Sequence, residues 1–149
     1  MSAQIALPQG FGCVPASLIS LGWLLVWQTA LVARARRRAG IAYPQLYAEQ
    51  TEVKANPAAL QFNCTQRCHQ NTLEALPVIT LSTLVLGFRF PFVAASLCSG
   101  YVLGRVIYTL GYKSGNPSKR LPGAYIGGLS SFGLLFGATY AAYQLFTFV

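Results

Sequence analysis

The chain has 149 residues, of which 54% are hydrophobic and only 9% are charged, and its mean hydropathy is +0.46. Soluble globular domains carry about 25% charged residues, so this composition excludes an ordinary soluble domain and indicates an integral membrane protein. The formal net charge of +8 is concentrated in a few short segments, a distribution that orients membrane proteins, and we expect no nucleic-acid partner.

The first predicted membrane helix runs from about Pro15 to Arg34. No charged side chain occurs between Met1 and Ala33, and this run exceeds the ~20 apolar residues that cross a bilayer. The N-terminus lacks the basic segment of a cleavable signal peptide, so we expect this helix to remain as an anchor. The loop that follows, about residues 35–60, holds most of the polar residues.

The second predicted helix, about Gln61 to Phe88, is polar in its first half and apolar in its second. Arg67, Asn71 and Glu74 follow one another at helical spacing, which places all three side chains on one face. An ionisable residue inside a membrane span costs at least ~2.5 kcal/mol. These residues therefore indicate either an internal network of paired charges or a polar pocket.

The third predicted helix runs from Pro91 to Tyr112, and the fourth, from about Leu121 to Phe146, carries no charge. On the third helix Arg105, Tyr108 and Tyr112 share one face. The arginine and tyrosine face lies toward the same membrane surface as the polar half of the second helix. The sequence therefore predicts an all-α protein, a single domain over residues 1–149 with four transmembrane helices.

Basic residues predict the orientation of these helices. The loops after the first and third helices hold eight lysines and arginines, and the opposite side holds Arg89 alone. Since cytosolic loops carry the excess of basic residues, both basic loops are predicted to be cytosolic and both termini lumenal. The eight residues are Arg34, Arg36, Arg37, Arg38, Lys54, Lys113, Lys119 and Arg120.

Cysteine and histidine spacing predicts no metal site. Cys64, Cys68 and His69 lie close together, but their spacing is not a zinc pattern and a fourth ligand is missing from it. A disulfide between the two cysteines is not expected near the cytosol. His69 points away from the face that carries Arg67, and a hydrogen-bonded histidine between helices is the favoured interpretation.

Two interpretations of the buried charges stay open from the residues alone. Arg67, Glu74 and Arg105 could form a network that only holds helices together. Alternatively, since two arginines face one glutamate, the surplus positive charge and the tyrosine hydroxyls suit a small anionic ligand. Apolar walls around such a pocket would admit a second, lipid-soluble molecule.

Three stretches carry a resemblance to a known family: FNCTQRCHQNTLEALP at residues 62–77, GRVIYTLGYKSGNPSKR at 104–120 and ARRRAGIAYPQLYA at 35–48. Together they resemble the MAPEG family, the membrane-associated proteins of eicosanoid and glutathione metabolism, and most of all its microsomal glutathione S-transferase 3 branch. The resemblance covers nearly the whole chain. It implies a four-helix homotrimer that binds glutathione between subunits near the cytosolic face.

The resemblance also implies roles for individual residues. Arg120, near the start of the fourth helix, would hold the glutathione sulfur as thiolate, with Lys119 as the alternative. Where relatives carry a glutamine this chain has His69, and where some carry a tyrosine it has Ala75, so the substrate preference is left open. Glutathione would be contacted by Arg67, Asn71, Glu74, Arg105, Tyr108 and Tyr112, and by Arg36 and Arg37 from the adjacent subunit.

The implied activity is that of a glutathione transferase and glutathione-dependent peroxidase. Its second substrate would be a lipophilic electrophile, a lipid hydroperoxide, or an allylic epoxide such as leukotriene A4, opened as in leukotriene C4 synthesis. The expected location is the endoplasmic reticulum membrane, with the outer mitochondrial membrane as an alternative. Two other functions remain as alternatives: a non-enzymatic lipid-binding protein of this family, and a small polytopic channel built on Glu74 and His69.

Overall fold

The computed structural model describes residues 7–147, and within this range the regular structure is entirely helical. Four long helices and one short helix follow in chain order, with a 3₁₀ turn at Pro117–Arg120 before the last helix. The helices are α1 (Cys13–Ala39), α2 (Gln50–Ala55), α3 (Pro57–Gly87), α4 (Pro91–Tyr112) and α5 (Leu121–Thr147).

Local sequence signals set most of the helix ends. Gly40 terminates α1 in the left-handed conformation, with φ of 72°, and its N–H bonds the carbonyls of the last turn. The Asn56 side chain accepts a hydrogen bond from Ala58 N and so caps α3, which begins with a proline. Pro91 occupies the same position in α4. Proline is favoured there because its missing N–H would have no partner in the first turn.

Two of the predicted boundaries differ from the structure. Helix α1 continues to Ala39 rather than Arg34, because three arginines in its last turn interact favourably with the negative end of the helix dipole. Helix α3 begins at Pro57 rather than Gln61. The connection between α1 and α3 is therefore shorter than the predicted loop at 35–60, and it contains α2. Helix α4 has the predicted bounds, Pro91 to Tyr112.

The long helices pack around α4. It contacts α1, α3 and α5, and α3 also contacts α1 and α5. The apolar core between them is built from side chains of all four helices, including Leu21, Ile79, Cys98 and Leu134. This arrangement leaves large apolar side chains on the outside.

The outward-facing residues fit a membrane environment. Trp23, Leu129 and Phe136 are each at least 70% exposed. Three helical segments, α1, α4 and the stretch Pro117–Thr147, are long and apolar enough to cross a bilayer. Helix α3 is not among them, since its first half holds Arg67, Glu74 and many uncharged polar residues, and its crossing of the membrane stays a prediction.

Candidate functional site

A cavity of about 440 Å³ lies between α3, α4 and α5. Polar residues line it on α3 and α4, small residues of α5 line it as well, and its remaining side is open. Four of the residues predicted from the sequence line it together: Asn71, Glu74, Arg105 and Tyr108. The other lining residues are Ala75, Tyr101, Gly123, Ala124, Gly127, Gly128 and Ser131.

Arg105 is the buried cation of this cavity, with only 8% of the residue exposed. Its Nε donates to Thr72 Oγ1 at 3.0 Å, and its Nη2 donates to the Cys68 carbonyl at 2.9 Å. Its guanidinium carbon lies 4.1 Å from the centre of the Tyr108 ring. Two neutral acceptors and one aromatic face orient the cation without cancelling its charge, so its positive field remains available to a ligand.

Gln28 of α1, which is absent from the predicted site residues, shares the acceptor Thr72 with Arg105. Its Nε2 donates to Thr72 Oγ1 at 3.0 Å and to Thr109 Oγ1 at 2.9 Å, and the residue is 1% exposed. A glutamine inside an apolar helix is a weak signal, because a buried amide needs partners from other helices. Here those partners come from α3 and α4, and the three helices are fixed at the level of Arg105.

The predicted polar face of α3, which carries Arg67, Asn71 and Glu74, makes two contacts at the cavity. Asn71 Nδ2 donates to the Tyr108 hydroxyl at 2.9 Å, which joins α3 to α4. Arg67 Nη1 lies 3.1 Å from Glu74 Oε1, and the two side chains are 45% and 55% exposed. An exposed ion pair contributes less than about 1 kcal/mol, so either partner can be exchanged for a charged ligand group at little cost.

The 3₁₀ turn places Arg120 against Tyr112, on the side of α4 that carries Tyr108. Its guanidinium carbon lies 4.7 Å from the centre of the Tyr112 ring, and Tyr112 packs edge-on against Tyr108 with ring centres 5.7 Å apart. The turn can lie directly on α4 because Gly111 has no Cβ; a Cβ at this position would collide with the Lys119 carbonyl. Lys119 itself is exposed, whereas Arg120 is half-buried.

Glycines bring α5 close to α4 and so shape the cavity. A Cβ added at Gly104 would meet the backbone of Gly127, and one added at Gly123 would meet the backbone of Tyr108. Only helices with small residues at their contact approach this closely, as is typical of helix pairs in membranes. The sequence shows these glycines, but it does not say which ones face each other.

Five of the nine predicted site residues do not line the cavity. Arg67 and Tyr112 contact the lining residues Glu74 and Tyr108, and Arg120 contacts Tyr112. The other two, Arg36 and Arg37, lie at the end of α1. Arg36 is 6% exposed, and its Nη1 donates to the Gln45 carbonyl at 2.6 Å and to the Ala42 carbonyl at 3.4 Å. Arg37 is exposed at the end of α1. Neither lines the cavity of its own chain, so their contact with glutathione of an adjacent subunit stays a prediction.

Four buried side-chain polar atoms have no hydrogen-bond partner within residues 7–147, and besides Gln28 Oε1 and Arg36 Nε there are two that bear on the predictions. One is the Tyr101 hydroxyl, which belongs to a residue that lines the cavity, and the other is His69 Nδ1. The favoured interpretation of His69, a histidine bonded between helices, therefore finds no such bond at Nδ1. All four cysteines are free thiols, and among the described residues no three histidine, cysteine or acidic side chains converge on one point.

A comparison with protein families gives one match. A family model described as the MAPEG family matches residues 14–140, which is well over half of the chain. The match spans all of the cavity residues, as well as Arg36, Arg37 and Arg120.

Proposed function

The chain belongs to the MAPEG family, whose members include glutathione transferases, peroxidases and leukotriene synthases, and we propose that it is a membrane-bound glutathione transferase and glutathione-dependent peroxidase. Within the family we assign it to the microsomal glutathione S-transferase 3 branch, on the motifs at residues 62–77 and 104–120. The proposed substrates are glutathione and a lipophilic electrophile or lipid hydroperoxide.

The observation that carries this proposal is the charge pattern of the cavity between α3, α4 and α5. Buried Arg105 and the carboxylate of Glu74 line the cavity, and exposed Arg67, which does not line it, pairs with Glu74. Glutathione carries two carboxylates and one ammonium group, so two cations and one anion form the complementary set. Bidentate geometry makes arginine well suited to binding carboxylates.

The exposed ion pair between Arg67 and Glu74 is proposed to open when glutathione binds. In our proposal Glu74 exchanges Arg67 for the glutathione ammonium, and Arg67 turns to a glutathione carboxylate. The net number of ion pairs then rises on binding. Asn71 and Tyr108, already bonded to each other at 2.9 Å, supply neutral hydrogen-bond partners next to these charges, and Arg105 receives the second carboxylate.

Arg120 is the proposed activator of the thiol. The glutathione thiol resembles that of cysteine, whose pKa is about 8.5, so little of it is thiolate at neutral pH. A guanidinium next to the sulfur stabilises the anion and lowers the thiol pKa. The contact of Arg120 with Tyr112 supports this role, since it holds the cation on the side of α4 that carries Tyr108.

The thiolate is the nucleophile in each proposed reaction. On a lipophilic electrophile it forms a sulfur–carbon bond as the leaving group departs. On an allylic epoxide such as leukotriene A4 the carbon–oxygen bond opens and the resulting alkoxide takes a proton. On a hydroperoxide the sulfur attacks one oxygen, the oxygen–oxygen bond breaks and an alcohol leaves; a second glutathione then displaces water to give the disulfide.

The assembly and location are also part of this proposal. We propose a homotrimer in which Arg36 and Arg37 face the glutathione of a neighbouring subunit. We further propose four membrane-crossing helices, with the cavity opening toward the cytosol and with the endoplasmic reticulum as the membrane. The outer mitochondrial membrane is the alternative location.

Turnover by the detergent-purified protein tests the proposal. Glutathione is supplied with an aryl halide in one assay and with a fatty-acid hydroperoxide in another, and S-methylglutathione, which lacks the reactive thiol, serves as the control. We expect saturable, glutathione-dependent turnover in at least one assay and none with the control. Lipid binding without turnover in both assays would instead support the non-enzymatic lipid-binding alternative.

A further inference from the structure

A second cavity lies between α1, α3 and α4. It has a volume of about 290 Å³ and is formed by the end of α1, the start of α3 and the end of α4. It shares no lining residue with the cavity assigned to glutathione. Its walls are Leu31, Arg34, Ala35, Arg38, Ala58, Gln61, Thr65, Leu110, Lys113 and Ser114.

Three cations line this cavity and no acidic residue does. Arg34 and Arg38 are one helical turn apart on α1, and Lys113 comes from the end of α4. Arg34 Nε donates only to the carbonyl of Ala30 in its own helix, at 3.3 Å. Within residues 7–147 the ion pair Arg67–Glu74 is the only one, so none of the three cations has a carboxylate partner in the described chain.

Neutral hydrogen-bonding groups accompany these charges. Gln61, Thr65 and Ser114 add an amide and two hydroxyls to the lining. Cations without counter-ions, together with such groups, are the chemistry that binds a phosphate. The volume of about 290 Å³ is at the small end of ligand pockets, which suits a head group rather than a whole lipid.

An apolar groove on α4 adjoins this cavity at Leu110. It has a volume of about 570 Å³ and shares Leu110 with the basic cavity. Ile107 and Leu110 are 42% and 48% exposed, and Pro122 forms part of the other wall. Since Ile107, Leu110 and Lys113 are spaced by three residues, they form one stripe on α4 that turns from apolar to basic.

We propose that the basic cavity is a binding site for an anionic phospholipid. The phosphate lies between Arg34, Arg38 and Lys113, and an acyl chain follows the groove past Leu110 and Ile107. The adjacency of the basic cavity and the apolar groove favours a lipid over a free phosphate, because a water-soluble ligand would leave the groove unused. The basic cavity has no lining residue in common with the cavity assigned to glutathione, whereas the groove is also lined by Lys119, the alternative thiolate partner.

Lipid titration of the delipidated protein, followed by native mass spectrometry, tests this site. We compare phosphatidic acid with phosphatidylcholine carrying the same acyl chains. Each lysine or arginine near an anionic lipid strengthens binding about fivefold. The variant Arg34→Gln/Arg38→Gln is therefore expected to bind phosphatidic acid about 25-fold more weakly, with phosphatidylcholine binding unchanged.

Matched variants separate the site from general charge effects. Lys54→Gln removes a cation outside the cavity and is expected to bind phosphatidic acid as the wild type does. Arg34→Lys/Arg38→Lys keeps the charge and should stay within a few-fold of the wild type. If the double glutamine variant does not fold, Lys113→Gln alone is expected to lower the affinity about fivefold.

Three outcomes would overturn the proposal. The first is equal affinity for the two lipids in the wild type, and the second is an equal loss of affinity in Lys54→Gln. The third is glycerol phosphate binding as tightly as phosphatidic acid, which would make the cavity a site for a soluble phosphate. A Leu110→Ala variant that weakens phosphatidic acid but leaves glycerol phosphate unchanged would support the lipid.

Discussion

Two arginines of this chain are buried to nearly the same extent and are held in different ways. Arg36 is 6% exposed and Arg105 is 8% exposed. Arg36 lies between the rings of Tyr43 and Phe62 and donates to backbone carbonyls of the loop after α1. Arg105 stacks on one ring, that of Tyr108, and its remaining surroundings include a cavity.

Arg36 is held mainly by rings and carbonyls of its own chain, whatever it contacts in a neighbouring subunit, whereas Arg105 borders a cavity. We call Arg36 with its partners Ala42, Tyr43, Gln45 and Phe62 the loop anchor, since both aromatic faces and the carbonyls come from the same chain. The cavity proposed to bind glutathione, in contrast, pairs its one lining cation, Arg105, with few groups and leaves one side open. Substitutions in the cavity should change glutathione binding or turnover more than the stability of the fold. Substitutions in the loop anchor should lower the stability of the fold more than they change glutathione binding or turnover.

The largest effect is expected at Arg120. Arg120→Ala removes the cation that we propose stabilises the thiolate, and loss of one such group costs about 10²–10³-fold in turnover. Glutathione affinity should change only a few-fold, because the proposed carboxylate and ammonium contacts remain. Stopped-flow or steady-state kinetics together with a binding titration measure the two quantities separately.

Lys119→Ala is the matched control for this prediction. Lys119 is the adjacent cation on the same turn and is exposed. It should keep wild-type turnover. If Lys119→Ala loses the activity while Arg120→Ala keeps it, the thiolate partner is Lys119 and our assignment is shifted by one residue.

The next largest effect, a loss of glutathione affinity, is expected when Glu74 is substituted. Glu74→Gln removes the proposed partner of the glutathione ammonium, and hydrogen bonds to charged groups contribute about 1.5–3 kcal/mol, which corresponds to roughly 10–100-fold weaker binding. Because the pair with Arg67 is exposed, the thermal midpoint should hardly change. Calorimetric titration and thermal unfolding in detergent measure the two effects.

Glu52→Gln removes a carboxylate from the neighbourhood of the loop anchor instead. Glu52 accepts a hydrogen bond from Gln45 at 2.6 Å and lies outside the glutathione cavity. We expect this variant to bind glutathione with wild-type affinity. Equal losses in the two variants would mean that total negative charge matters and that Glu74 has no specific contact.

The smallest effect on glutathione chemistry is expected at the loop anchor. Arg36→Met keeps an apolar stem but leaves the Gln45 carbonyl without its donor, a loss of about 1–3 kcal/mol in folding stability. The thermal midpoint should therefore fall by several degrees. Arg37→Met, at the exposed neighbouring residue, should leave the midpoint unchanged and weaken glutathione binding only a few-fold, through the neighbouring subunit.

The same two variants test whether Arg36 mainly stabilises its own loop or mainly binds glutathione. A normal midpoint for Arg36→Met, combined with a large loss of glutathione affinity, would show that Arg36 is mainly a ligand of the adjacent site. In that case the loop contacts of Arg36 contribute little. Size-exclusion chromatography of both variants checks that the assembly is intact.

Residues with a local signal could be predicted from the sequence. Proline at the start of α4 and the basic turn after it define that helix, and helical spacing alone places Arg105 and Tyr108 on one face. The same spacing places Asn71 and Glu74 together on α3. The structure brings these four residues to one cavity.

Features that depend on contacts between distant segments could not be predicted. Gln28 has its two partners in α3 and α4, and nothing near it in the sequence indicates them. The close approach of Gly123 to α4 depends on the crossing of two helices. The burial of Arg36 depends on how the loop folds back, and a run of consecutive arginines gives no sign of which one turns inward.

The central claim is that the cavity between α3, α4 and α5 binds glutathione and holds its sulfur as thiolate. Calorimetric titration of glutathione into the detergent-purified protein at pH 7, in two buffers of different ionisation enthalpy, tests it most directly. We predict saturable binding with release of close to one proton, because the free thiol is mostly protonated at this pH. No binding, or binding without proton release, would contradict the claim; the absence of binding would leave Arg67, Glu74 and Arg105 as a structural network.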